Sequence, residues 1–332
     1  MVIKMKQIRV KFVGFTDCPL EPSAFYNILK NNYDLIETDN PDYIICSILG
    51  NPYEYCKYPQ VRIMYTGENY IPDFNLIDYA LIPYDLKLYD RCLYYPSFSN
   101  NFKRTLSLPT IDRNYTSDFL NSKQYFANFI SSHESEGGIR GDFFKKLSHY
   151  KRVESPGTYL NNMPNGETVQ FMTDSKTNFQ KNSKFSLCFE STKHHGFVTE
   201  KLMDALVAGS IPVYYGSETV TEIFNKKSFI NCNDYNSFDE VIEKIIELDN
   251  NDEKYLEMLR QPILVDNQFP QSLYNGVESF FNNIFNQSLD KCYRRARTAY
   301  PSYIEKIIND KFNKQKKNQN TLSKIIKHII KK

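Results

Sequence analysis

The sequence has no apolar run long enough to cross a membrane. Its longest apolar stretches, residues 205–208 and 211–215, are interrupted by glycine and proline and fall far short of the roughly 18 to 20 residues that a spanning helix needs. Residues 1–15 alternate polar and apolar side chains and lead into a predicted strand, without the apolar segment or cleavage site of a signal peptide. We therefore expect a cytosolic protein without a transmembrane helix.

Paired cysteines and clustered metal ligands are also missing. The cysteines form an odd set without a C-x-x-C pair, which argues against both a disulfide framework and a zinc ribbon. We expect them to be small buried hydrophobic residues. The adjacent His194 and His195 have no third ligand at metal spacing, so we expect them to be solvated and predict no metal site. The seven cysteines are Cys18, Cys46, Cys56, Cys92, Cys188, Cys232 and Cys292.

No general nucleotide-binding motif occurs in the chain. It has neither a P-loop nor a complete G-x-G-x-x-G, so other groups would have to hold the phosphates of any nucleotide. The body also lacks a basic face with interleaved aromatic residues, which makes nucleic acid an unfavoured partner. We predict that the chain binds no nucleic acid.

Basic charge is concentrated at the carboxyl terminus. The formal net charge is +2, but residues 311–332 hold eight lysines and no acid, which leaves the rest of the chain at −6. The tail has one apolar helical face, the pattern of a helix lying on an anionic membrane surface. A terminal helix docked on the body has the same pattern, and both interpretations stay open. The apolar face consists of Leu322, Ile325, Ile326, Ile329 and Ile330.

Strand and helix patterns alternate along the chain and predict an α/β fold of two doubly wound halves that face a cleft. We divide the chain into a first domain of residues 1–120, a second of residues 121–290 and C-terminal helices over residues 291–332. Predicted strands cover residues 8–15, 42–49, 61–68, 79–84, 125–131, 185–191 and 211–216. Predicted helices cover residues 23–31, 139–150, 199–208 and 238–248.

Charged residues follow the predicted strand that ends near Glu190. Thr199 is a candidate N-cap for the next helix, and Gly209 is placed to end it. Lys201 would then lie in the first turn, where a cation costs a few tenths of a kcal/mol to about 1 kcal/mol unless an anion accompanies it. This conflict indicates a bound phosphate, although a lysine that points to solvent would also satisfy the pattern.

The loop after the strand over residues 125–131 offers a second cation. Arg140 follows two glycines and lies in the first turn of the next predicted helix. In an open parallel sheet, ligands bind beyond the carboxyl ends of the strands. Two strand ends of one domain thus each present a cation, and a diphosphate could bridge them.

Several segments carry a resemblance to a known family. FES at residues 189–191, GFVTEK at 196–201 and GSIPVYYG at 209–216 resemble the signature of the α-1,3-fucosyltransferases, especially the bacterial members. YTGEN at 65–69 with PDFNLIDYAL at 72–81 is similar to their acceptor-domain motif, and residues 143–162 resemble the start of their donor domain. The resemblance covers about residues 8 to 290, and several ordered motifs are more specific than any single one.

The resemblance implies a GT-B fold of two Rossmann-like domains. It further implies an inverting transfer of L-fucose from GDP-fucose to O3 of N-acetylglucosamine in a glycan such as N-acetyllactosamine. GDP-fucose is then a substrate, no cofactor is required, and stimulation by a divalent metal stays open. D-x-D, the metal-diphosphate signature of the other glycosyltransferase architecture, is absent. The implied partners are GDP-fucose and an oligosaccharide acceptor, and the pattern of the basic tail adds a membrane surface as a third expected partner.

The resemblance also assigns roles to residues. Glu68 matches the proposed general base, Arg140 and Lys201 match the diphosphate-binding cations, and Glu200 matches a carboxylate that contacts the fucose. Glu190 is expected at the donor site, with a buried structural acceptor as its alternative.

Two positions depart from the family pattern in the expected donor pocket. Ser191 stands where the family often has Asn, and Phe197 stands where it often has Tyr, so one hydroxyl contact is lost. We therefore keep two alternatives: a same-fold transferase that uses another GDP-sugar or linkage, and a non-catalytic protein that binds a glycan or nucleotide.

Overall fold

The computed structural model describes residues 5–15, 20–21, 23–51, 53–170, 174–296 and 298–330, with side chains as far as residue 314 except that of residue 102. The first half of the chain forms a parallel six-stranded sheet in the order β2-β1-β3-β4-β5-β6. Its strands are β1 (Lys6–Phe15), β2 (Tyr33–Glu37), β3 (Tyr43–Leu49), β4 (Val61–Tyr65), β5 (Tyr79–Ile82) and β6 (Cys92–Tyr94). Helix α1 (Ala24–Asn32) connects β1 to β2.

A second parallel sheet follows, in the order β11-β10-β9-β7-β8. Its strands are β7 (Tyr125–Asn128), β8 (Val153–Glu154), β9 (Ser183–Phe189), β10 (Ile211–Tyr215) and β11 (Ile230–Asn231). The helices after α1 are α2 (Phe102–Ser107), α3 (Ser117–Asn121), α4 (Ile139–Ser148), α5 (Asp174–Lys181), α6 (Glu200–Val207), α7 (Phe238–Asp249), α8 (Asp252–Leu259), α9 (Ser272–Phe285), α10 (Leu289–Cys292) and α11 (Ala299–Ile330). The predicted α/β fold with two doubly wound halves is confirmed.

The central strands are buried on both faces, as parallel strands covered by helices must be. The first five residues of β3 and every residue of β4 are buried, and both segments read as nearly continuous apolar runs. The exceptions are the buried Ser47 in β3 and Arg62 in β4. The guanidinium of Arg62 is fully buried and donates to the Leu76 carbonyl at 2.9 Å. It also pairs with Glu305 at 2.6 Å and so anchors α11 to the first sheet.

The chain returns to the first sheet after completing the second. The apolar face of α9 joins the core formed by α1, β1 and β3, and it includes Tyr274, Val277, Phe281 and Ile284 at helical spacing. Burial of this stripe places residues 272–285 on the first sheet, although the sequence-based division assigned them to the second domain, residues 121–290. The domain limits themselves stay a prediction.

The carboxyl ends of the two sheets face each other. Tyr84, just after β5, stacks on Phe197 in the loop between β9 and α6, with ring centroids 5.6 Å apart and planes at 18°. The hydroxyl of Tyr94, at the end of β6, donates to the Gly196 carbonyl at 3.0 Å. Loops that follow strands of both sheets therefore meet in one place, where ligands of open α/β sheets bind.

The structure bears on two expectations from the sequence, the absence of a membrane-spanning helix and the burial of the cysteines. Among the described residues, no helix is long and apolar enough to cross a membrane. The backbone of α11 continues to Ile330, but the side chains of the predicted apolar tail face lie outside the described part. Cys92 is half-buried and Cys18 lies outside the described residues. The other five cysteines are buried and unpaired, as predicted: Cys46, Cys56, Cys188, Cys232 and Cys292.

Candidate active site

The carboxylate of Glu190 organises the junction between β9 and α6. Its side chain is completely buried, and its backbone N–H continues the ladder by donating to Tyr215 O at 2.8 Å. The backbone N–H of Thr199 donates to Oε1 at 2.8 Å, and the Thr199 hydroxyl donates to Oε2 at 2.7 Å. Thr199 occupies the predicted N-cap position of α6, but its hydroxyl bonds Glu190 and makes no cap bond to the helix. Glu190 is thus a buried acceptor, and contact with a donor stays a prediction.

Lys201 belongs to the same cluster and does not extend into solvent. Its ammonium donates to Glu190 Oε2 at 3.2 Å and to Thr199 Oγ1 at 2.9 Å, and its side chain is 23% exposed. Burial alone would lower the pKa of Lys201, but attraction by Glu190 and Glu200 outweighs burial, so its pKa lies above the ordinary value. A fixed positive charge therefore lies at the first turn of α6.

Arg140 brings a second cation to the end of β9. It lies in the first turn of α4 and is buried, and both its Nε and Nη2 donate to the carbonyl of Phe189, at 3.0 and 2.8 Å. Its Nη1 donates to His133 O at 2.9 Å. Burial lowers the pKa of Arg140, but a guanidinium remains protonated. Among the described residues its hydrogen-bond acceptors are neutral, so no direct ion pair cancels its charge.

The N-terminus of α4 is occupied by the chain itself, which sequence reasoning missed. Glu134 accepts from the backbone N–H of Ser135 at 2.7 Å and of Gly141 at 3.1 Å, and also from the Tyr159 hydroxyl. Burial would raise the pKa of Glu134, but these hydrogen bonds lower it overall. The side chain of Arg140, more than the helix end, is therefore what this loop offers to an anion. The available signal was an acid close to the glycines, because Glu134 lies three residues before Gly137.

Glu200, the first residue of α6, is a second carboxylate that acts on Lys201. Its side chain is 25% exposed, yet its Oε1 is buried and has no hydrogen-bond partner among the described residues. Burial would raise the pKa of Glu200, but Lys201 and the buried Lys176 lower it, so the carboxylate is ionised at neutral pH. The ammonium of Lys176 lies 3.8 Å from Oε1. No sequence motif pointed to Lys176.

Glu68 lies at the facing sheet edge, three residues after β4. It is exposed, and its backbone N–H donates to Thr66 Oγ1 at 3.1 Å. The preceding Gly67 carbonyl accepts from the Ser97 hydroxyl, and the following Asn69 accepts from the Tyr84 hydroxyl. The loop is therefore tied down on both sides while the carboxylate stays accessible. Its role as a base stays a prediction.

Ser191 and Phe197, the two residues that differ from the family pattern, are buried to different extents. Ser191 is half-buried, and its carbonyl accepts from the Glu136 N–H at 3.0 Å. Phe197 is 2% exposed and is buried against Tyr84, so its ring serves the contact between the two sheets. Contact of either side chain with a donor stays a prediction.

The adjacent histidines are exposed, and the ring of His194 contacts Tyr84 edge-on at 5.8 Å. Among the described residues, no group of three or more His, Cys, Asp or Glu side chains is arranged to hold a metal.

Two open parallel sheets with facing carboxyl edges, cations on one edge and an accessible carboxylate on the other define a glycosyltransferase fold of the GT-B type. Two family descriptions match the chain: the α-(1,3)-fucosyltransferase FucT N-terminal domain over residues 10–100, and the glycosyltransferase family 10 (fucosyltransferase) C-terminal region over residues 120–261. The chain belongs to glycosyltransferase family 10, the α-1,3-fucosyltransferase family.

Individual relatives agree with this assignment. The α-(1,3)-fucosyltransferase FucT of Helicobacter pylori is 31% identical in an alignment 302 positions long that covers 79% of this chain and 59% of that protein. The chain thus spans less than two thirds of the length of this relative. A crystal structure of an α1,3-fucosyltransferase superimposes with a TM-score of 0.72 at 28% identity, covering 88% of this chain and 93% of that one. A structure of an α1,3-fucosyltransferase with GDP-fucose gives 0.70 at 28% identity over 87% and 93%.

Proposed function

We propose that the protein is an inverting glycosyltransferase that moves L-fucose from GDP-fucose to O3 of N-acetylglucosamine in a glycan such as N-acetyllactosamine. The observation that carries the proposal is the cation pair, Arg140 and Lys201, at the carboxyl end of β9, in a chain whose fold matches an α1,3-fucosyltransferase with GDP-fucose. A diphosphate is the anionic group of that donor, and two fixed cations are suited to bind it.

The leaving group is the part of the reaction that the cations serve. As the glycosidic bond breaks, negative charge grows on the diphosphate, and preorganised cations in a partly dry site stabilise it. Lys201 keeps its proton because Glu190 and Glu200 surround it, so it acts as a permanent charge and not as an acid. In the described part of the chain Arg140 donates only to carbonyl and hydroxyl oxygens, so its charge can act on the ligand.

The two remaining carboxylates serve the other reacting groups. Glu68 takes the proton from the attacking hydroxyl, since it lies on the opposite sheet edge and is accessible to an acceptor. Glu200 is ionised and stabilises positive charge that develops on the fucosyl ring. Inversion follows when the hydroxyl attacks from the side opposite the diphosphate.

The experiment is a transfer assay with GDP-fucose and N-acetyllactosamine, with the product identified by NMR. We expect a fucosylated trisaccharide, and a loss of kcat of on the order of 100-fold or more in both Glu68→Gln and Lys201→Ala. Glu37→Gln is the matched control, because Glu37 is an exposed glutamate at the end of edge strand β2 of the same sheet. Absence of product in the wild type rejects the function, and wild-type rates in both variants reject the mechanism.

A panel of GDP-sugars as donors tests the alternative that the protein transfers a sugar other than fucose. Ser191 and Phe197 replace larger or hydroxyl-bearing residues of the family pattern, so a different GDP-sugar is the second candidate donor. Faster turnover with another GDP-sugar than with GDP-fucose would favour it. Saturable GDP binding without any turnover would instead identify a binding protein.

We further propose that transfer requires no metal and that the basic tail, residues 311–332, attaches the protein to anionic membranes. The eight lysines of the tail would supply on the order of 1 kcal/mol each near such a surface. Full activity in EDTA supports the first statement. Binding to vesicles that contain phosphatidylserine, lost on removal of residues 315–332, supports the second.

A further inference from the structure

A buried charge cluster lies behind Glu200, outside the residues to which the proposed mechanism gives a role. It consists of Lys176 on α5, Asp204 on α6 and Arg104 on α2, the short helix that links the two sheets. The side chains of Lys176 and Asp204 are 4% and 6% exposed. The ammonium of Lys176 lies 2.7 Å from Asp204 Oδ2, and Arg104 Nη1 lies 2.9 Å from Asp204 Oδ1.

The position of Lys176 is set by two acids on one face of α6. Glu200 and Asp204 are four residues apart, so their carboxylates lie on the same side of the helix and repel each other. Lys176 approaches this face from α5, at 2.7 Å from Asp204 and 3.8 Å from Glu200 Oε1. It therefore compensates both charges, while Arg104 pairs with the other carboxylate oxygen of Asp204.

Stability does not explain why such a cluster is buried. Replacing a buried ion pair by apolar residues of similar volume is often neutral or stabilising, because desolvation offsets the attraction. The cluster instead ends at a carboxylate oxygen, Glu200 Oε1, that is buried and lacks a hydrogen-bond partner among the described residues. The ammonium of Lys176, 3.8 Å from this oxygen, attracts the carboxylate, and the Glu200 side chain remains 25% exposed.

We propose that Lys176, held by Asp204, which Arg104 binds in turn, is a positioning residue that orients Glu200 toward the donor sugar. The inference rests on the proposed function, in which Glu200 stabilises charge on the fucosyl ring. Lys176 itself is 3% exposed, so in this inference it acts through Glu200.

The charged groups around Glu200 come from three elements. Lys201 and Asp204 lie on its own helix, Lys176 faces it from α5, and Arg140 interacts with it from α4. Removing Lys176 therefore leaves Arg104 to pair with Asp204, and leaves Lys201 and Arg140 as the cations that act on Glu200. The expected consequence is a Glu200 carboxyl group that takes up a proton at higher pH.

The test compares Lys176→Met with Lys176→Arg in the full chain. Methionine keeps the length and packing of the stem without the charge, whereas arginine keeps the charge. We expect Lys176→Met to lower kcat about 10-fold to 100-fold with little change in the KM for GDP-fucose, because a small misplacement near the reacting atoms has effects of that size. The acid limb of the kcat profile should move to higher pH in Lys176→Met and return in Lys176→Arg.

Lys184→Met is the matched control. Lys184 lies near the amino end of β9 in the second sheet, whereas the candidate site lies at the carboxyl end of that strand. Its side chain is 16% exposed and pairs with Asp249 at 2.8 Å. It should show any general effect of losing a partly buried ion pair, without the shifted acid limb. Thermal melting and GDP affinity report whether each variant is folded. If Lys176→Met is not recovered folded, Lys176→Gln, which keeps a hydrogen bond to Asp204, replaces it.

A second readout separates this inference from the proposed function. The carboxyl carbon of Glu200, assigned with Glu200→Gln, is followed by NMR during acid titration in GDP-bound protein, and its midpoint should rise in Lys176→Met. An inactive wild type with a shifted midpoint refutes fucosyl transfer but supports the positioning role. An active wild type with an unshifted midpoint and an unchanged acid limb in Lys176→Met overturns the inference.

Discussion

Replacing the buried Glu190 by glutamine tests how the cation of α6 is held. The substitution keeps the shape of the side chain but exchanges one acceptor oxygen for an NH2 donor and removes the charge. The amide oxygen can still accept from the Thr199 N–H, now 2.8 Å from Oε1, and the Thr199 hydroxyl can turn to accept from the new donor. Lys201 then faces a donor and keeps Thr199 Oγ1, at 2.9 Å.

The two bonds with Thr199 persist between neutral groups, and the main loss is the charge-assisted hydrogen bond from Lys201 to Glu190. Such bonds contribute about 1.5 to 3 kcal/mol when they are buried. Because the Lys201 side chain is 23% exposed, water recovers part of this loss. We expect Glu190→Gln to lower the free energy of unfolding by about 2 kcal/mol.

The assay is equilibrium unfolding in urea. The chain has no tryptophan, so far-ultraviolet circular dichroism is the suitable signal. The matched control is Glu154→Gln, at the end of β8 in the same sheet. Burial raises the pKa of Glu154, and its Oε2 has no hydrogen-bond partner among the described residues. Its Oε1 pairs at 3.0 Å with Arg152, which is largely exposed, and such pairs contribute little, so the loss of its charge should be nearly neutral.

A double-mutant cycle with Lys201→Met assigns the effect to the pair. We expect a coupling energy near the loss seen in Glu190→Gln, since the two residues share one direct bond. Equal losses in Glu190→Gln and Glu154→Gln, or a coupling energy near zero, would refute the assignment of Glu190 as the group that holds Lys201.

Three further substitutions probe the loops and the surface. Tyr84→Phe keeps the stacking on Phe197 but loses the hydroxyl bond to Asn69, so kcat should fall several-fold while GDP affinity, measured by calorimetry, stays constant. Gly196→Ala should lower the melting temperature by the equivalent of about 1 to 3 kcal/mol, because φ is +83° and the new Cβ would lie 3.0 Å from a backbone nitrogen; an unchanged melting temperature contradicts this. Glu247 has a pKa of about 2, held below its ordinary value by hydrogen bonds from two lysines, so its stabilising contribution is complete above pH 4.5 and is lost as the pH falls through about 2. The difference in melting temperature between wild type and Glu247→Gln should shrink over that range, and a constant difference would contradict the pKa.

Elements with a strong local pattern were predictable from the sequence. The apolar runs of β3 and β4 and the amphipathic α7 agree with prediction to within a few residues at each end. Gly209 ends α6 with a positive φ of 70°, as its position after the last apolar residue indicated. Short strands were missed: β2 is a largely exposed edge strand, and β8 and β11 have two residues each, too few for a period-2 pattern.

The sequence predicted the positions of those site residues that lie just after the ends of strands. The site residues of the second sheet lie just after its strands or in the first turns of the helices that follow them, and parallel strands bring such positions to the same edge. These residues are Arg140, Glu190, Glu200 and Lys201. The sequence did not identify Lys176, because its partners are 24 and 28 residues away on another helix. Nor did it identify Tyr84 as the residue that joins the two sheet edges.

Residue order was thus sufficient for the alternation of strands and helices and for the placement of cations beyond β7 and β9, because both follow from local patterns of apolar and charged side chains. The packing of distant segments had to be known before Glu190 could be assigned to Lys201, or α9 to the first sheet. A buried carboxylate takes whichever donors the folded backbone brings within about 3 Å, and an apolar helix face takes whichever sheet is left uncovered. Neither choice is encoded in the neighbouring residues.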